Sequence, residues 1–210
     1  GDCTCSEFPL VARTQCIANQ TPGVGKTATA VNLAAGLAPA GHRPLLIELD
    51  PRRPGNGSLQ GTAAERPRRT YQPATTYVRE LDLAAVSPPD SSEGPRGLDG
   101  WLEDPHTADD YAFVLLDCPP TTEGATRAAM AAAAALLMPV RCDPFGLDGV
   151  PELVKALRSS IAGGSEIEFG GVLLTQATAS NGAHETEAEA REFFGEVLLD
   201  TIIPFDESIE

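Results

Sequence analysis

Asn19-Gln20-Thr21-Pro22-Gly23-Val24-Gly25-Lys26-Thr27 lies between the apolar Cys16-Ile17-Ala18 and a helix-forming run over residues 28–37. Glycines, a lysine and a hydroxyl residue, placed where a strand gives way to a helix, make a phosphate cradle. The glycines let backbone N–H groups close round an anion, and the helix N-terminus adds partial positive charge. Lys26 supplies a mobile full charge, and the Thr27 hydroxyl can hold a magnesium ion. The stretch points to a nucleotide-binding protein, and three readings of it compete. The general triphosphate loop G-x-x-x-x-G-K-[ST] asks for glycine where this chain has Gln20. Gly23-Val24-Gly25-Lys26-Thr27-Ala28 also fits G-x-G-x-x-A, with Glu48 in the next apolar run as the acidic residue of an NAD-type dinucleotide site. A glycine turn with an incidental lysine is the third.

A chain of 210 residues, 42% of them hydrophobic, can bury one substantial core, and residues 1–210 are read as a single domain with residues 1–9 as a tail. No apolar run is long enough to span a bilayer, and Gly1-Asp2-Cys3-Thr4-Cys5-Ser6-Glu7 lacks the parts of a signal peptide. A cytoplasmic protein without a membrane partner is expected. Cys3, Cys5, Cys16, Cys118 and Cys142 form no C-x-x-C pair, and His42, His106 and His184 stand singly, so metal and disulfide roles are not expected. The net charge of −15, with Lys26 and Lys155 as the only lysines, disfavours non-specific DNA binding, which needs clustered cations. Arginines gather only at Arg52-Arg53 and at Arg66, Arg68 and Arg69, in a Pro- and Gly-rich stretch read as a solvated or anion-contacting loop.

Apolar runs and helical patterns alternate along the rest of the chain. Strands are expected near residues 15–18, 45–49, 81–86, 112–117, 136–140, 171–175 and 198–203. Helices are expected near 26–38, 97–103, 123–134, 149–161 and 184–194, with an irregular loop over 51–76. This order predicts an α/β fold, an open and mostly parallel sheet with helices on both faces. Ligands of such sheets sit beyond the carboxyl ends of the strands, which puts Asp50 and Asp117 near residues 23–27.

Taken in order, Gly23-Val24-Gly25-Lys26-Thr27, Leu46-Ile47-Glu48-Leu49-Asp50-Pro51 and Leu115-Leu116-Asp117-Cys118-Pro119-Pro120 resemble the ParA/MinD group of P-loop ATPases with a variant Walker A loop. They are nearest its ParA (Soj-like) chromosome- and plasmid-partition branch. Leu136-Leu137-Met138-Pro139-Val140, Gly146-Leu147-Asp148-Gly149, Gly171-Val172-Leu173-Leu174-Thr175 and Ile202-Ile203-Pro204 extend the resemblance, and the dinucleotide reading explains Lys26-Thr27 and the turn after Asp117 poorly. The resemblance implies ATP and Mg²⁺ as cofactors, an ATP-dependent homodimer, and a partner protein of the ParB or cargo-adaptor type. It implies a cradle of Gly23, Val24, Gly25, Lys26, Thr27 and Ala28. Lys26 would neutralise the β- and γ-phosphates and Thr27 would ligate magnesium. Asp117 would orient its water shell, and Asp50 would position or deprotonate the attacking water beside that metal. Thr175 and Pro204 fall where the family forms its base pocket.

The departures from the family pattern bear on activity. Thr21 replaces the signature lysine that reaches the partner's ATP, Pro22 removes a backbone donor, Ala28 lacks a second hydroxyl, and Glu48 replaces an aspartate. Losing a cation at the transition state costs orders of magnitude in rate, so a degenerate relative that binds nucleotide or partners without efficient hydrolysis is the alternative. Lys155 is the one candidate substitute for that charge, as in the carboxysome-positioning branch. The resemblance also implies C-terminal helices beyond Pro204, which carry DNA- and membrane-binding surfaces in relatives.

Overall fold

β-Branched and leucine-rich runs in this chain form strands, and the alanine-rich and amphipathic stretches between them form helices. A computed structural model describes residues 13–50, 74–75, 78–85, 98, 102, 105–143, 146–178 and 181–206. In chain order these give β1 (Arg13–Ile17), α1 (Lys26–Leu37), β2 (Pro44–Glu48), β3 (Ala74–Thr75), β4 (Asp82–Ala85), α2 (Pro105–Asp110) and β5 (Phe113–Asp117). There follow α3 (Ala125–Ala132), β6 (Ala135–Arg141), α4 (Val150–Ala162), β7 (Glu168–Ala177), α5 (Asn181–Phe194), a 3₁₀ turn (Gly195–Val197) and β8 (Leu198–Pro204). The strands form one sheet in the order β3-β4-β2-β5-β1-β6-β7-β8. Every neighbouring pair is parallel except β3 with β4, a two-residue antiparallel edge.

The two faces carry separate apolar clusters, as expected of a parallel sheet covered on both sides. Ile17, Leu46, Leu83, Leu115, Leu137 and Leu173 pack with Ala30 and Ala34 of α1 on one face. Cys16, Ile47, Leu116 and Met138 pack on the other with Ala129 and Met130 of α3, Leu153 and Leu157 of α4, and Ala190 of α5. Each buried leucine contributes roughly 1.5–3 kcal/mol by leaving water. Pro139 sits inside β6, where its missing N–H would normally break a ladder. Here the pairing of β1 with β6 ends at Ile17 and Leu137, and the Pro139 carbonyl faces the space beyond, so no ladder bond is lost.

Several boundaries differ from those read off the sequence. The helix expected at 123 starts at Ala125, because Gly124 takes φ 55 and interrupts the helical path before it. β7 runs three residues earlier and two later than 171–175, extended by pairing along β6. α2 was not anticipated; its six residues, two of them aspartate, show no apolar period. Of residues 97–103, only Leu98 and Leu102 are described, both helical, with Leu98 buried. Residues 1–9 and the arginines at 52, 53, 66, 68 and 69 lie outside the described residues, as does most of the expected 51–76 loop.

At the amino ends of β2, β4 and β5, a polar knot holds the sheet together. Asp82, 1% exposed, accepts from the Tyr111 hydroxyl at 2.7 Å and from Arg43 at 3.1 Å, and the Arg43 guanidinium lies 5.0 Å from the Tyr111 ring centre. A buried carboxylate is tolerable only with such partners, and removing it takes away the arginine's main counter-charge. Asp82→Ala should therefore lower unfolding free energy by about 3 kcal/mol. Urea denaturation checks this, and a midpoint equal to that of the wild type would contradict it.

Candidate functional site

The residues after β1 leave the sheet between β5 and β6 and turn into α1. Gly23 and Gly25 take φ 73 and 82, a left-handed geometry that side chains disfavour, which lets the loop coil tightly before the helix begins. Gly25 is the residue preceding α1, and Lys26 opens the helix almost buried, its ammonium donating to the Thr21 carbonyl at 2.8 Å. The N-terminus of α1 thus has glycine-shaped backbone before it and a lysine folded back over it, the combination an anion site needs.

Neighbouring strands anchor the loop. The Asn19 side chain, fully buried, donates to the Pro139 carbonyl at 2.7 Å and accepts from the Thr21 N–H at 2.9 Å. From β7, the Thr175 hydroxyl donates to the Val24 carbonyl at 2.9 Å, and the Gln176 amide donates to the Gly23 carbonyl. Gly149, just before α4, abuts the loop so closely that a Cβ there would lie 2.4 Å from the Thr21 hydroxyl oxygen and 2.9 Å from Asn19 Oδ1. Gln20 donates to Glu152 of α4 at 3.2 Å.

The carboxylates converge by register. Ile17, Asp117 and Glu48 are aligned across β1, β5 and β2, so the last two present their side chains on the α1 face at the carboxyl edge. Glu48 and Asp117 are 4% and 7% exposed, and Asp50 is half-buried just beyond β2. The Leu49 N–H donates to the Asp117 carbonyl at 3.0 Å, which carries the β2–β5 pairing past the end of the strand toward Asp50.

The expected site residues are therefore distributed as follows. Gly23, Val24, Gly25, Lys26, Thr27 and Ala28 form the loop and the first turn of α1, and Asp117 ends the adjacent strand. Thr175 lies beneath the loop, 3% exposed, with its hydroxyl directed at loop and strand carbonyls. Pro204 ends β8 at the sheet edge, exposed and paired in register with Ala177. Lys155 is exposed on α4, one turn beyond Glu152. Sequence reasoning missed Asn19, Gln176 and Gly149 as loop supports. The readable signal was Asn19, a side chain that often turns back onto backbone two residues on.

A cavity of about 460 Å³ opens beside Thr21 and Pro22, bounded by Thr121, Glu123, Asp148 and Gly149. Its walls carry carboxylates from Glu123 and Asp148 and, among the described residues, no cationic side chain. On the opposite face of the sheet the Cys16 and Cys118 sulfurs lie 3.5 Å apart. That contact, followed by burial, pushes the Cys118 thiol well above its ordinary range. Burial first, then the charges of Glu187 and Asp143, pushes the Cys142 thiol up as well.

Sheet, loop and helix start together define a P-loop α/β nucleotide-binding domain. The profile of the CobQ/CobB/MinD/ParA nucleotide binding domain matches residues 15–210, and the chain belongs to that family. It is 36% identical over 204 residues to the chromosome-partitioning ATPase Soj of Thermus thermophilus, covering 90% of this chain and 79% of that one. To the chromosome partitioning protein ParA of Myxococcus xanthus it is 32% identical over 219 residues, covering 94% and 77%. Its fold is similar to that of cobyrinic acid a,c-diamide synthase from Mycobacterium smegmatis, solved with an ATP analog and magnesium. The TM-score is 0.72 at 21% identity, over 94% of this chain and 88% of that one. No helix among the described residues is long and apolar enough to cross a membrane.

Two measurements follow from this geometry. Gly149→Ala forces α4 and the loop apart and should cost about 1–3 kcal/mol of stability, measured by chemical denaturation. The raised Cys118 value favours the neutral thiol in the folded state, so its contribution is complete below the unfolded thiol's value and is lost as pH rises. Above about pH 8.5 the wild type should lose stability faster with rising pH than Cys118→Ala. Parallel stability–pH curves for the two proteins would contradict that assignment.

Proposed function

We propose that the chain is a single-domain, ParA-like ATPase that dimerises around Mg-ATP and uses its nucleotide cycle to position DNA or another cargo with a partner protein. The observation that carries this reading is the register-aligned edge: Glu48 and Asp117 end their strands level with Ile17, where β1 gives way to the glycine turn and Lys26. The donor set fits the ligand: a left-handed glycine turn and a lysine suit phosphates, and hydroxyl and carboxylate oxygens suit a hard cation.

Residues 23–28 would hold the phosphates of the nucleotide, with Lys26 exchanging its Thr21 carbonyl for phosphate oxygens. Thr27 and Asp117 would hold magnesium, with Asp50 beside it. Magnesium supplies charge neutralisation along the β- and γ-phosphates. Asp50 then orients the attacking water for in-line displacement and takes up its proton, while Lys26 offsets the charge that develops on the transferred group.

The neutral Thr21 and the cation-free cavity beside it favour a second reading, in which the protein binds Mg-ATP and switches conformation with little turnover. Titration with ATP, ADP and NAD, with and without Mg²⁺, followed by phosphate release, separates these readings. The first expects tight Mg-ATP binding with turnover. Binding without turnover selects the second, and binding of NAD alone removes both. Lys26→Ala should weaken Mg-ATP binding on the order of 100-fold. Asp50→Ala should slow phosphate release while leaving Mg-ATP affinity within a few-fold. An unchanged ATPase rate in Lys155→Ala would rule out that lysine as the substitute for the charge missing at position 21.

A further inference from the structure

We infer that β7, through Thr175 and Gln176, sets the direction in which the loop presents its backbone donors, making both residues positioning residues for phosphate. This rests on the nucleotide-binding reading above. A trans peptide unit is planar, with C=O and N–H pointing opposite ways. The Gly23 carbonyl shares its unit with the Val24 N–H, and the Val24 carbonyl shares its unit with the Gly25 N–H. The Gln176 amide holds the first carbonyl and the Thr175 hydroxyl the second, so both are drawn toward β7. Their N–H groups are thereby turned away from β7, to the side from which a phosphate approaches.

Other contacts complete the arrangement. Lys26 holds the Thr21 carbonyl at 2.8 Å, and the Thr29 N–H holds the Gly25 carbonyl at 2.8 Å. Thr175 also packs behind the turn, 3.8 Å from where a Cβ on Gly25 would stand. The Val24 side chain is fully buried, which fixes the middle of the turn while the glycines on either side supply the left-handed bends. Released from β7, either peptide unit could flip and present a carbonyl oxygen, the negative end of its dipole, to an anion.

Gln176 carries a second mark of this role. Its φ of 56 is left-handed, a conformation that is uncommon for a residue with an extended side chain. Such geometry persists where surrounding structure imposes it, and it concentrates at functional sites. Gln176 lies inside β7, where the pairing with β8 is irregular between Leu174 and Ala177, and its amide is set against Gly23.

The test is calorimetric titration of the full chain with inorganic tripolyphosphate and with Mg-ATP, alongside thermal melting. Thr175→Val keeps the shape and removes the hydroxyl, Thr175→Ser keeps the hydroxyl, and Gln176→Gly removes the amide while accepting φ 56 without strain. Thr175→Val and Gln176→Gly should each weaken binding of both ligands about tenfold, roughly one hydrogen bond to the cradle in each case. Thr175→Ser should recover the affinity lost in Thr175→Val. Gln176→Gly should melt no lower than the wild type, whereas a role confined to stability would move melting and leave affinity alone. Unchanged affinity in Thr175→Val and Gln176→Gly overturns the inference, as does Thr175→Ser binding as weakly as Thr175→Val. If Thr175→Val does not fold, Gln176→Gly decides alone. A wild type that binds neither ligand overturns the nucleotide reading itself, and this inference with it.

Discussion

The place where β1 stops governs the whole carboxyl edge of the sheet. Its ladder ends at Ile17, level with the last residue of β5, Asp117, on one side and opposite Leu137 on the other, where β6 continues to Arg141. A notch is left between β5 and β6. Asn19 fills its floor by bonding to Pro139, and the glycine turn closes over it. Were β1 to slip by one residue, Ile17 would exchange faces with Cys16 and the turn would be fed from the wrong side of the sheet. The apolar commitment of Ile17 to α1 and of Cys16 to the opposite cluster prevents that slip. Core packing, chosen several residues upstream, therefore fixes where the loop's donors converge.

How legible this was varied with the range of the interaction. The strand-loop-helix unit at residues 13–37 could be read locally, because glycine, lysine and threonine carry their chemistry in their own backbone and side chains. Asp117 was legible as a carboxylate ending a continuous apolar run. The supports of the loop were not, since Thr175 and Gln176 are 151 and 153 residues away from the carbonyls they hold. Only the sheet order, with β6 between β1 and β7, brings them near. Thr175 illustrates the difference: a motif match gave its position, but its hydroxyl's partners depend on how β7 lies under the turn. Gly149 likewise looked like the glycine before a helix, and its closeness to Thr21 appears only when α4 is docked. The polar knot at Asp82 was invisible for the same reason, as Arg43, Asp82 and Tyr111 meet from three different strand ends.

Position 21 sits at the crossing of several of these supports. Its N–H is held by Asn19, its carbonyl by Lys26, and its hydroxyl lies against Gly149. The side chain is thus part of a packed joint between the loop and α4, with a carboxylate-lined cavity alongside. Glu123 and Asp148 are the charged side chains lining that cavity, so the cavity itself offers an anion no counter-charge.

The two ends of the sheet have different tasks. The knot of Arg43, Asp82 and Tyr111 gathers at the amino ends of the strands, and the loop, Glu48 and Asp117 gather at the carboxyl ends, with β2 alone spanning roughly 16 Å between them. The carboxyl edge carries the left-handed glycine turn and Gln176, while the amino edge has its own left-handed residue, Glu80 at φ 66, beside an Asp82 carboxylate held by two donors. Directed evolution usually meets a conflict between robustness and activity when one set of residues serves both. In this fold the conflict is spatially divided, so substitutions that reinforce the amino edge can raise tolerance to heat or to further mutation without stiffening the edge that works on the ligand.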